Sequence, residues 1–178
     1  MKIHNAIIFA TVKHRNQKRK GSDVPYIVHP MEVMQILTEN DLSEDVIVAG
    51  ILHDTLEDTD TTEQEIEQNF GKKILELVKA ESEDKSKGWH ERKQTTIDSI
   101  KTDTLEAKQV CCADKLSNMR SIYVDLQNMG EDIWKIFKAP KDQVAWYYRS
   151  LVDSLSDLEG SRMYAELKSL VEQVFAGV

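Results

Sequence analysis

The chain has 178 residues and a mass of 20.4 kDa, enough for one domain with a substantial core. Its 40% hydrophobic and 30% charged residues indicate a soluble, folded protein rather than a disordered or membrane-embedded one. A formal net charge of −8 argues against a general binder of nucleic-acid polymers, because that affinity comes from basic side chains. A local basic patch can still bind a small anion.

The sequence predicts a cytoplasmic location. The apolar stretch NAIIFATV near the amino terminus is too short to span a membrane, and no small-residue cleavage pattern follows it. Cys111 and Cys112 are neighbours in a predicted helix, where adjacent side chains point apart. We therefore expect reduced, packed thiols.

Helical periodicity dominates the first part of the chain. Residues 3–20 are predicted to form a helix that ends in the basic cluster HRNQKRK. The following GSDVPYIVHP is predicted to be a turn and extended connector, because Pro25 and Pro30 push the residues before them out of the α region. Pro30 suits the first turn of the next helix, over residues 30–40.

Capping signals mark the next two helices. Ser43 is predicted to cap a helix over residues 44–58, which contains DVIVAGILHDTLED. Thr62 and Glu65 have the spacing of a capping box, which predicts a short helix that runs through Phe70 and stops at Gly71.

The remainder of the chain continues the helical pattern. Three further helices are predicted at KKILELVKAES, WHERKQTTIDSIK and TLEAKQVCCADKLSNMRSIYVDLQ, and a closing pair within residues 141–176 completes the bundle. No alternating pattern typical of strands, no repeat and no low-complexity segment is present. The prediction is an all-α, compact bundle with residues 1–178 as a single domain.

The stretch ILHDTLEDT, residues 51–59, concentrates chemistry on one predicted helix. A spacing of four residues stacks His53 on Glu57 and Asp54 on Asp58. Carboxylates this close repel one another unless solvent or a cation compensates. Imidazole and carboxylate are good ligands for divalent manganese, iron or zinc, so the stretch indicates a metal site.

Two more ligands are available elsewhere. His29 precedes Pro30 at a helix start, and Asp114 lies between apolar neighbours on the long helix, where an acid is rare unless paired or metal-bound. Each residue alone has an ordinary alternative. His29 can be a loop histidine, Glu57 and Asp58 can be solvated helix-end acids, and Asp114 can pair with Lys115 or Arg120.

Taken in order, His29-Pro30, His53-Asp54 with Glu57-Asp58, and ADKLSN at 113–118 resemble the HD-domain metal-dependent phosphohydrolases. The chain is most similar to the hydrolase domain of the RelA/SpoT alarmone enzymes and their stand-alone small relatives. The resemblance runs from about Ala6 to Arg120 and includes RKGSDVPYIVHP, ILHDTLEDT and FGKKILELV. The motifs lie within residues 19–121.

The resemblance implies a role for each matching residue. The ligands of one divalent ion, with manganese expected, are His29, His53, Asp54 and Asp114. The pair that orients and deprotonates the attacking water is Glu57 and Asp58. The residues that contact the substrate are Arg19, Lys20, Asn118 and Ser121.

The implied reaction is removal of the 3′-pyrophosphate from a guanosine tetra- or pentaphosphate alarmone. Because the sequence stops at Val178, hydrolysis without synthetase activity is expected. The segments GSDV and KAESEDKSKGW depart from the alarmone enzymes, so two alternatives stay open. One is a phosphatase acting on another phosphorylated nucleotide such as NADPH, and the other is a non-catalytic helical module that binds a metal or a nucleotide.

Several features remain undecided from sequence. Arg92 and Lys93 are either a second phosphate clamp or a solvated helix face. Four aromatic residues near the carboxyl terminus are expected in the core or at a subunit contact, with base stacking as the alternative: Trp134, Trp146, Tyr147 and Tyr148. The expected partner is a small phosphorylated nucleotide, and the oligomeric state is open, a homo-oligomer included.

Overall fold

The computed structural model describes residues 1–178. It contains ten α-helices: α1 (Lys2–Lys13), α2 (Val28–Glu39), α3 (Glu44–Leu52), α4 (Thr55–Asp58), α5 (Glu63–Phe70), α6 (Lys72–Glu81), α7 (Trp89–Thr102), α8 (Leu105–Met129), α9 (Lys141–Ser154) and α10 (Arg162–Val174). Two 3₁₀ segments, η1 (Gly130–Ile136) and η2 (Ser156–Leu158), flank α9. No strand forms, and an isolated antiparallel bridge joins Lys18 to Pro25. The predicted all-α fold is confirmed.

Helix α8 is the centre of the bundle. It packs against α2, α3, α6 and α10, and its inward face is buried through most of its length. The buried hydrophobic residues form one continuous cluster of 43 side chains. An acid on the inward face of such a helix is surrounded by structure on all sides, which is the position of Asp114.

The predicted helix starts at Ser43 and Thr62 are confirmed. The hydroxyl of Ser43 accepts a hydrogen bond from the backbone N–H of Val46. Thr62 and Glu65 form the reciprocal capping box, and Gly71 follows α5 with a φ of 94°, a conformation that favours glycine. These caps fix the starts of α3 and α5, the helices before and after the stretch that contains His53, Asp54, Glu57 and Asp58.

The predicted first helix over residues 3–20 is too long. Helix α1 ends at Lys13, and the basic cluster lies in a turn instead. The backbone N–H of Arg19 donates to the carbonyl of Val24, and that of Tyr26 donates to the carbonyl of Gln17. The chain doubles back because Pro25 and the glycine at 21, with a φ of 76°, favour a turn over a helix.

The predicted continuous helix over residues 44–58 is also wrong. Helix α3 ends at Leu52, and the short helix α4 begins at Thr55. His53 and Asp54 form a turn between them, in which Asp54 has φ −91° and ψ −5°. Both residues keep backbone angles of the α region, and the N–H of Asp58 still donates to the carbonyl of Asp54 at 2.9 Å, so the helix is interrupted by one turn rather than redirected.

Cys111 and Cys112 are both free and buried, as the sequence predicted. None of the helices combines the length and the apolar character that crossing a membrane requires.

Candidate metal centre and active site

Two imidazoles face each other inside the bundle. His29 lies in the first turn of α2 and His53 directly after α3, and their Nε2 atoms are 3.2 Å apart. Both rings are almost completely buried, with 3% and 1% of the residue surface exposed. Histidine is buried this deeply only when its ring nitrogens are satisfied or bind a metal.

Two carboxylates complete the group. Oδ1 of Asp114 lies 3.0 Å from Nε2 of His29 and 3.6 Å from Nε2 of His53. Oδ2 of Asp54 lies 2.9 Å from Nε2 of His53 and 3.6 Å from Nε2 of His29. The ligand atoms of His29, His53 and Asp114 all fall within 4.8 Å of one another, and Asp54 approaches both imidazoles outside that tighter group. The structure brings all four predicted ligands together.

The far side of each imidazole is held by a hydrogen bond. Nδ1 of His53 lies 2.8 Å from the carbonyl of Gly50, and Nδ1 of His29 lies 2.8 Å from Oγ of Ser117. Ser117 donates its own proton to Glu32 at 2.8 Å, so it accepts from His29. In the neutral rings both Nδ1 atoms therefore carry the proton, and both Nε2 lone pairs point at the centre of the group.

The charges of the group are strongly coupled. Burial lowers the pKa of His53, but the carboxylates of Asp54 and Asp114 outweigh burial and raise it well above its usual range. Burial also lowers the pKa of His29, and there it prevails. Burial raises the pKa of the carboxyl of Asp54, yet the nearby His53 drives it well below its usual range. A positive charge between the carboxylates is thus strongly favoured.

The donor set fits a divalent ion. Ligand atoms about 2.1 Å from an ion and at right angles to each other lie about 3 Å apart, close to the 2.9–3.6 Å spacings here. Two imidazole nitrogens and two carboxylate oxygens with no thiolate suit manganese, iron or zinc. Two Nε2 lone pairs at 3.2 Å repel each other unless a proton or a cation lies between them.

Asp114 has further partners on its own helix. Lys115 donates to Oδ2, and Nδ2 of Asn118 donates to Oδ1 at 2.6 Å. Burial raises the pKa of Asp114, but Lys115 and the imidazoles bring it well below its usual range. The pairing with Lys115 that the sequence left as an alternative is present together with the metal-site geometry. Arg120, the other partner that the sequence offered for Asp114, binds Glu32 and Glu166 instead.

The two acids of α4 form a separate group. Oε2 of Glu57 accepts the backbone N–H of Glu83 at 3.0 Å, and Oδ1 of Asp58 accepts a hydrogen bond from Nζ of Lys85 at 2.5 Å. Lys85 also donates to the carbonyl of Glu57 at 2.8 Å. Burial raises the pKa of Glu57, which brings its carboxylate closer to the range of a general base at neutral pH.

Arg92 and Lys93 hold the connector between α6 and α7, residues 82–88, in place at Glu83. Nζ of Lys93 lies 2.6 Å from Glu83 and Nε of Arg92 lies 3.1 Å from it, and their side chains are both largely buried. Neither predicted reading, a phosphate clamp or a solvated face, matches this geometry. The first turn of α7 thus holds Glu83, and the backbone N–H of Glu83 binds Glu57.

A cleft opens beside His29. Its cavity of about 640 Å³ is lined by the turn that contains Arg19 and Lys20, by α8 and by η1. All four predicted substrate contacts line it: Arg19, Lys20, Asn118 and Ser121. His53, Asp54, Glu57 and Asp58 do not line this cavity, and His29 is the one predicted ligand that does.

Arg19 is held against the metal centre by two contacts. Its Nη2 donates to Oδ1 of Asn118 at 3.0 Å, and its guanidinium lies 5.7 Å from the ring centroid of Tyr26. The hydroxyl of Tyr26 donates to Oδ2 of Asp54 at 2.6 Å. Asn118 thus joins Arg19 to Asp114, and Tyr26 joins Arg19 to Asp54.

The carboxyl-terminal aromatic residues belong mainly to the core. Tyr147 and Tyr148 are buried, and Trp134 and Trp146 are partly buried and packed against the core, as the favoured interpretation predicted. Tyr148 also lines the cleft. The indole of Trp146 stacks on His90 at 4.5 Å between ring centroids, on the exterior of α7.

The sequence reasoning missed the residues that position the ligands. Tyr26 lies three residues before His29 within PYIVHP, and Ser117 precedes Asn118 in ADKLSN, so both were visible within the motifs. Glu32 and Lys85 gave no such signal, because their contacts with Ser117 and Asp58 join residues 85 and 27 positions apart.

A family comparison agrees with this geometry. Residues 6–144 match the model of the HD domain, a range that contains every ligand described above. The chain belongs to the HD-domain family. The resemblance that the ordered motifs indicated is therefore confirmed.

Curated relatives cover nearly the whole chain. The human "Guanosine-3′,5′-bis(diphosphate) 3′-pyrophosphohydrolase MESH1" is 36% identical over 170 residues, which are 93% of this chain and 90% of the human one. The Drosophila melanogaster protein of the same name is 33% identical and covers 98% and 93%. The "GTP pyrophosphokinase rsh" of Brucella melitensis is 38% identical over 128 residues, or 68% of this chain and only 17% of the longer enzyme.

Solved structures share the fold of this HD domain. The structure described as "A metazoan ortholog of SpoT hydrolyzes ppGpp and plays a role in starvation responses" has a TM-score of 0.82 at 32% identity, and covers 97% of this chain and 94% of that one. Lmo0812 from Listeria monocytogenes has a TM-score of 0.78 at 35% identity and covers 83% and 98%.

Proposed function

We propose that the protein is a metal-dependent guanosine 3′,5′-bis(diphosphate) 3′-pyrophosphohydrolase. The observation that carries the proposal is the pair of Nε2 atoms 3.2 Å apart, each within 3.6 Å of two carboxylates, beside a cleft that contains Arg19 and Lys20. The activity named for the human and fly relatives supplies the substrate in this proposal.

The residues that hold the ion in this proposal are His29, His53, Asp54 and Asp114. When bound, a divalent ion supplies positive charge that polarises a phosphoryl oxygen and makes water more acidic. Manganese is the proposed ion, because two imidazoles and two carboxylates without a thiolate suit it. Ser117 and the carbonyl of Gly50 keep both imidazoles in the tautomer that presents Nε2.

The acids of α4 handle the proton. Glu57 accepts it from the attacking water, because burial raises the pKa of its carboxyl toward the neutral range. Asp58, bound to Lys85, orients that water. The proton that leaves the water thus has a defined acceptor on the chain, next to the site where phosphorus is attacked.

The cleft binds the nucleotide in this proposal. Arg19 and Lys20 neutralise phosphate charge, since phosphoryl transfer depends mainly on positioning and charge stabilisation. Asn118 keeps Arg19 next to Asp114, so the cation that binds the phosphates cannot drift from the metal ligands. Ser121, one turn further along α8, contacts the sugar or phosphate of the substrate.

We also propose that residues 1–178 act together as one HD phosphohydrolase domain in the cytoplasm. Helices α9 and α10 lie beyond the matched range for the most part, yet they share the core with α7 and α8. The two free, buried cysteines suit a reducing compartment.

The test is a substrate panel with product identification. Protein loaded with manganese is mixed with guanosine 3′,5′-bis(diphosphate), NADPH or GTP, and the products are separated by ion-exchange chromatography. The expected products are guanosine 5′-diphosphate and pyrophosphate from the first substrate alone. Release of phosphate from NADPH with no reaction of the guanosine substrate would support the alternative phosphatase and overturn the proposal.

A double variant separates catalysis from binding. Glu57→Ala with Asp58→Ala is expected to reduce kcat more than a hundredfold and to leave manganese binding intact. The matched control removes two exposed acids of α7, Glu91→Ala with Asp98→Ala, and is expected to keep the wild-type rate. An unchanged rate in the first variant would show that a group other than Glu57 and Asp58 accepts the proton.

A further inference from the structure

The outer part of the cleft has an unusual apolar surface. Four large hydrophobic side chains there are strongly exposed, with relative exposures of 44% for Val24, 50% for Val28, 54% for Val124 and 45% for Met129. Nine large hydrophobic residues of the whole chain are exposed, so nearly half of them line this one cavity. Clustered exposed apolar residues in a concave site are typical of a surface that binds a ligand.

Val124 and Met129 lie on α8 beyond Ser121, on the side away from Asp114, whereas Val28 is next to His29. Asp114, Asn118, Ser121 and Asp125 follow each other at steps of three or four residues along α8, so they share one face of the helix. At a rise of 1.5 Å per residue, Asp125 lies about 16 Å along the helix from Asp114. A nucleotide whose phosphate is at the metal centre would place its base toward Asp125.

Asp125 is the only unpaired acid of the cleft. The other acid that lines the cavity, Glu32, accepts from Ser117 and binds Arg120. Asp125 lines the same cavity and has no hydrogen bond or ion pair with any side chain of the protein. Val124 precedes it in the sequence and Met129 follows one turn later on α8, and both line the same cavity. An ionised carboxylate is only an acceptor, so it suits a ligand edge that carries N–H donors and a flat apolar face.

We infer that Asp125 determines the base specificity of the cleft by accepting hydrogen bonds from N1–H and N2–H of guanine. Guanine presents both donors side by side on its Watson–Crick edge. Inosine keeps only N1–H, and adenine places a lone pair at N1, which a carboxylate repels. The inference rests on the proposed function for the identity of the substrate and the placement of its phosphate, and it adds the residue that selects guanine in the cleft.

The variants compare Asp125 with an acid outside the cleft. Asp125→Asn removes the charge and keeps the shape, and Asp142→Asn does the same at an exposed acid in the first turn of α9. Hydrolysis of the 3′,5′-bis(diphosphates) of guanosine, inosine and adenosine is measured with manganese-loaded protein. The wild type is expected to show a KM about tenfold lower for guanosine than for inosine, with adenosine weaker still.

The expected result for Asp125→Asn is a KM for the guanosine substrate raised about tenfold, a kcat within twofold of wild type, and a guanosine-to-inosine preference reduced to about twofold or less. Asp142→Asn is expected to keep the wild-type preference. An Asp125→Asn protein with unchanged preference would overturn the inference while the proposed hydrolysis stands.

Calorimetric binding of the 5′-diphosphates of guanosine, inosine and adenosine gives a readout without turnover. The wild type is expected to bind the guanosine compound most tightly, and Asp125→Asn is expected to lose that order. If the wild type hydrolyses none of the substrates but keeps this order of binding, the proposed function fails and the role of Asp125 stands. Equal binding of all three by the wild type would overturn the inference directly.

Discussion

The hydroxyl oxygen of Ser117 lies 2.8 Å from Nδ1 of His29, on the side of the imidazole opposite to the Nε2 that faces His53. Because Ser117 gives its own proton to Glu32, it is available to His29 only as an acceptor. A serine buried in α8 thus decides which nitrogen of a histidine on α2 can bind a metal ion.

Ser117→Ala is expected to weaken manganese binding about 10–100-fold, the usual effect of removing an outer partner of a ligating histidine. The loss follows because the Nδ1 proton of His29 is left without a buried acceptor. Isothermal titration calorimetry measures the affinity. Ser121→Ala, one turn further on the same helix, is the control and is expected to bind manganese as the wild type does. Equal affinities for the two variants would contradict this role of Ser117.

Metal binding is expected to depend on pH. In the metal-free chain the pKa of His53 is raised well above its usual range by the carboxylates around it, so at neutral pH the imidazole carries a proton that the ion must displace. The apparent dissociation constant should therefore fall by up to about tenfold for each unit of rising pH, and each ion bound should release about one proton.

Titration in two buffers of different ionisation enthalpy counts the released protons. His90→Gln changes a histidine on α7 that stacks on Trp146 outside the site, and it should leave the count unchanged. A pH-independent affinity with no proton release would show that the imidazole of His53 is neutral before the ion arrives.

Lys85→Ala is expected to lower kcat about tenfold and to shift the acidic limb of the pH–rate profile upward by roughly half a unit to one unit. Its ammonium group contacts Asp58 and lies 3.6 Å from Oε1 of Glu57, where a positive charge favours the ionised carboxylates. Without it, the raised pKa of Glu57 should rise further, so the base is lost at a higher pH.

Lys87→Ala is the matched control, because Lys87 pairs with Glu91 on the exterior of α7. The side chain of Lys85 is 52% exposed, so neither variant is expected to change the melting temperature appreciably. Superimposable pH–rate profiles of Lys85→Ala and the wild type would show that Lys85 does not lower the pKa of Glu57.

Gly50→Ala is expected to reduce the free energy of unfolding by about 1–3 kcal/mol, as overpacking a dense core does. A Cβ atom at this position would clash with Cδ1 of Leu37 and lie 3.1 Å from Cγ1 of Val33, so the buried Leu37 side chain must move or α2 and α3 must separate. The carbonyl of Gly50 also accepts from His53, so manganese affinity should fall as well.

Gly88→Ala provides the comparison, since nothing lies within 4 Å of a Cβ atom built at Gly88. Chemical denaturation of both variants measures the difference. A Gly50→Ala protein as stable as Gly88→Ala would mean that α2 and α3 pack less tightly than described.

Local sequence signals predicted much of the fold. Helix starts at Ser43 and Thr62 depend on hydrogen bonds within three residues, so their residue types alone identify them. The four candidate metal ligands were predicted because their motifs, taken in order, resemble those of a known family. Local signals do not show which way a side chain points. Arg92 and Lys93 were expected to be a phosphate clamp or a solvated face, but their side chains turn inward to Glu83.

The two wrong helix boundaries have tertiary causes. The apolar run into ILHDTLEDT suits one continuous helix, but His53 must reach His29 while Asp54 meets the hydroxyl of Tyr26, and the turn at these residues allows both. The basic cluster forms the turn that Pro25 and Gly21 favour, and the contact of Arg19 with Asn118, 99 residues away in sequence, holds it in place. Contacts at this separation override local helix propensity.

The central claim is that one divalent ion binds between the imidazoles of α2 and α3 and the carboxylates of Asp54 and Asp114. Anomalous diffraction at the manganese absorption edge, from crystals of manganese-loaded protein, tests it most directly. One strong anomalous peak per chain is expected within about 2.3 Å of Nε2 of both histidines. Folded His53→Ala is expected to show no peak there. A correctly folded, manganese-saturated wild type with no peak between His29 and His53 would contradict it.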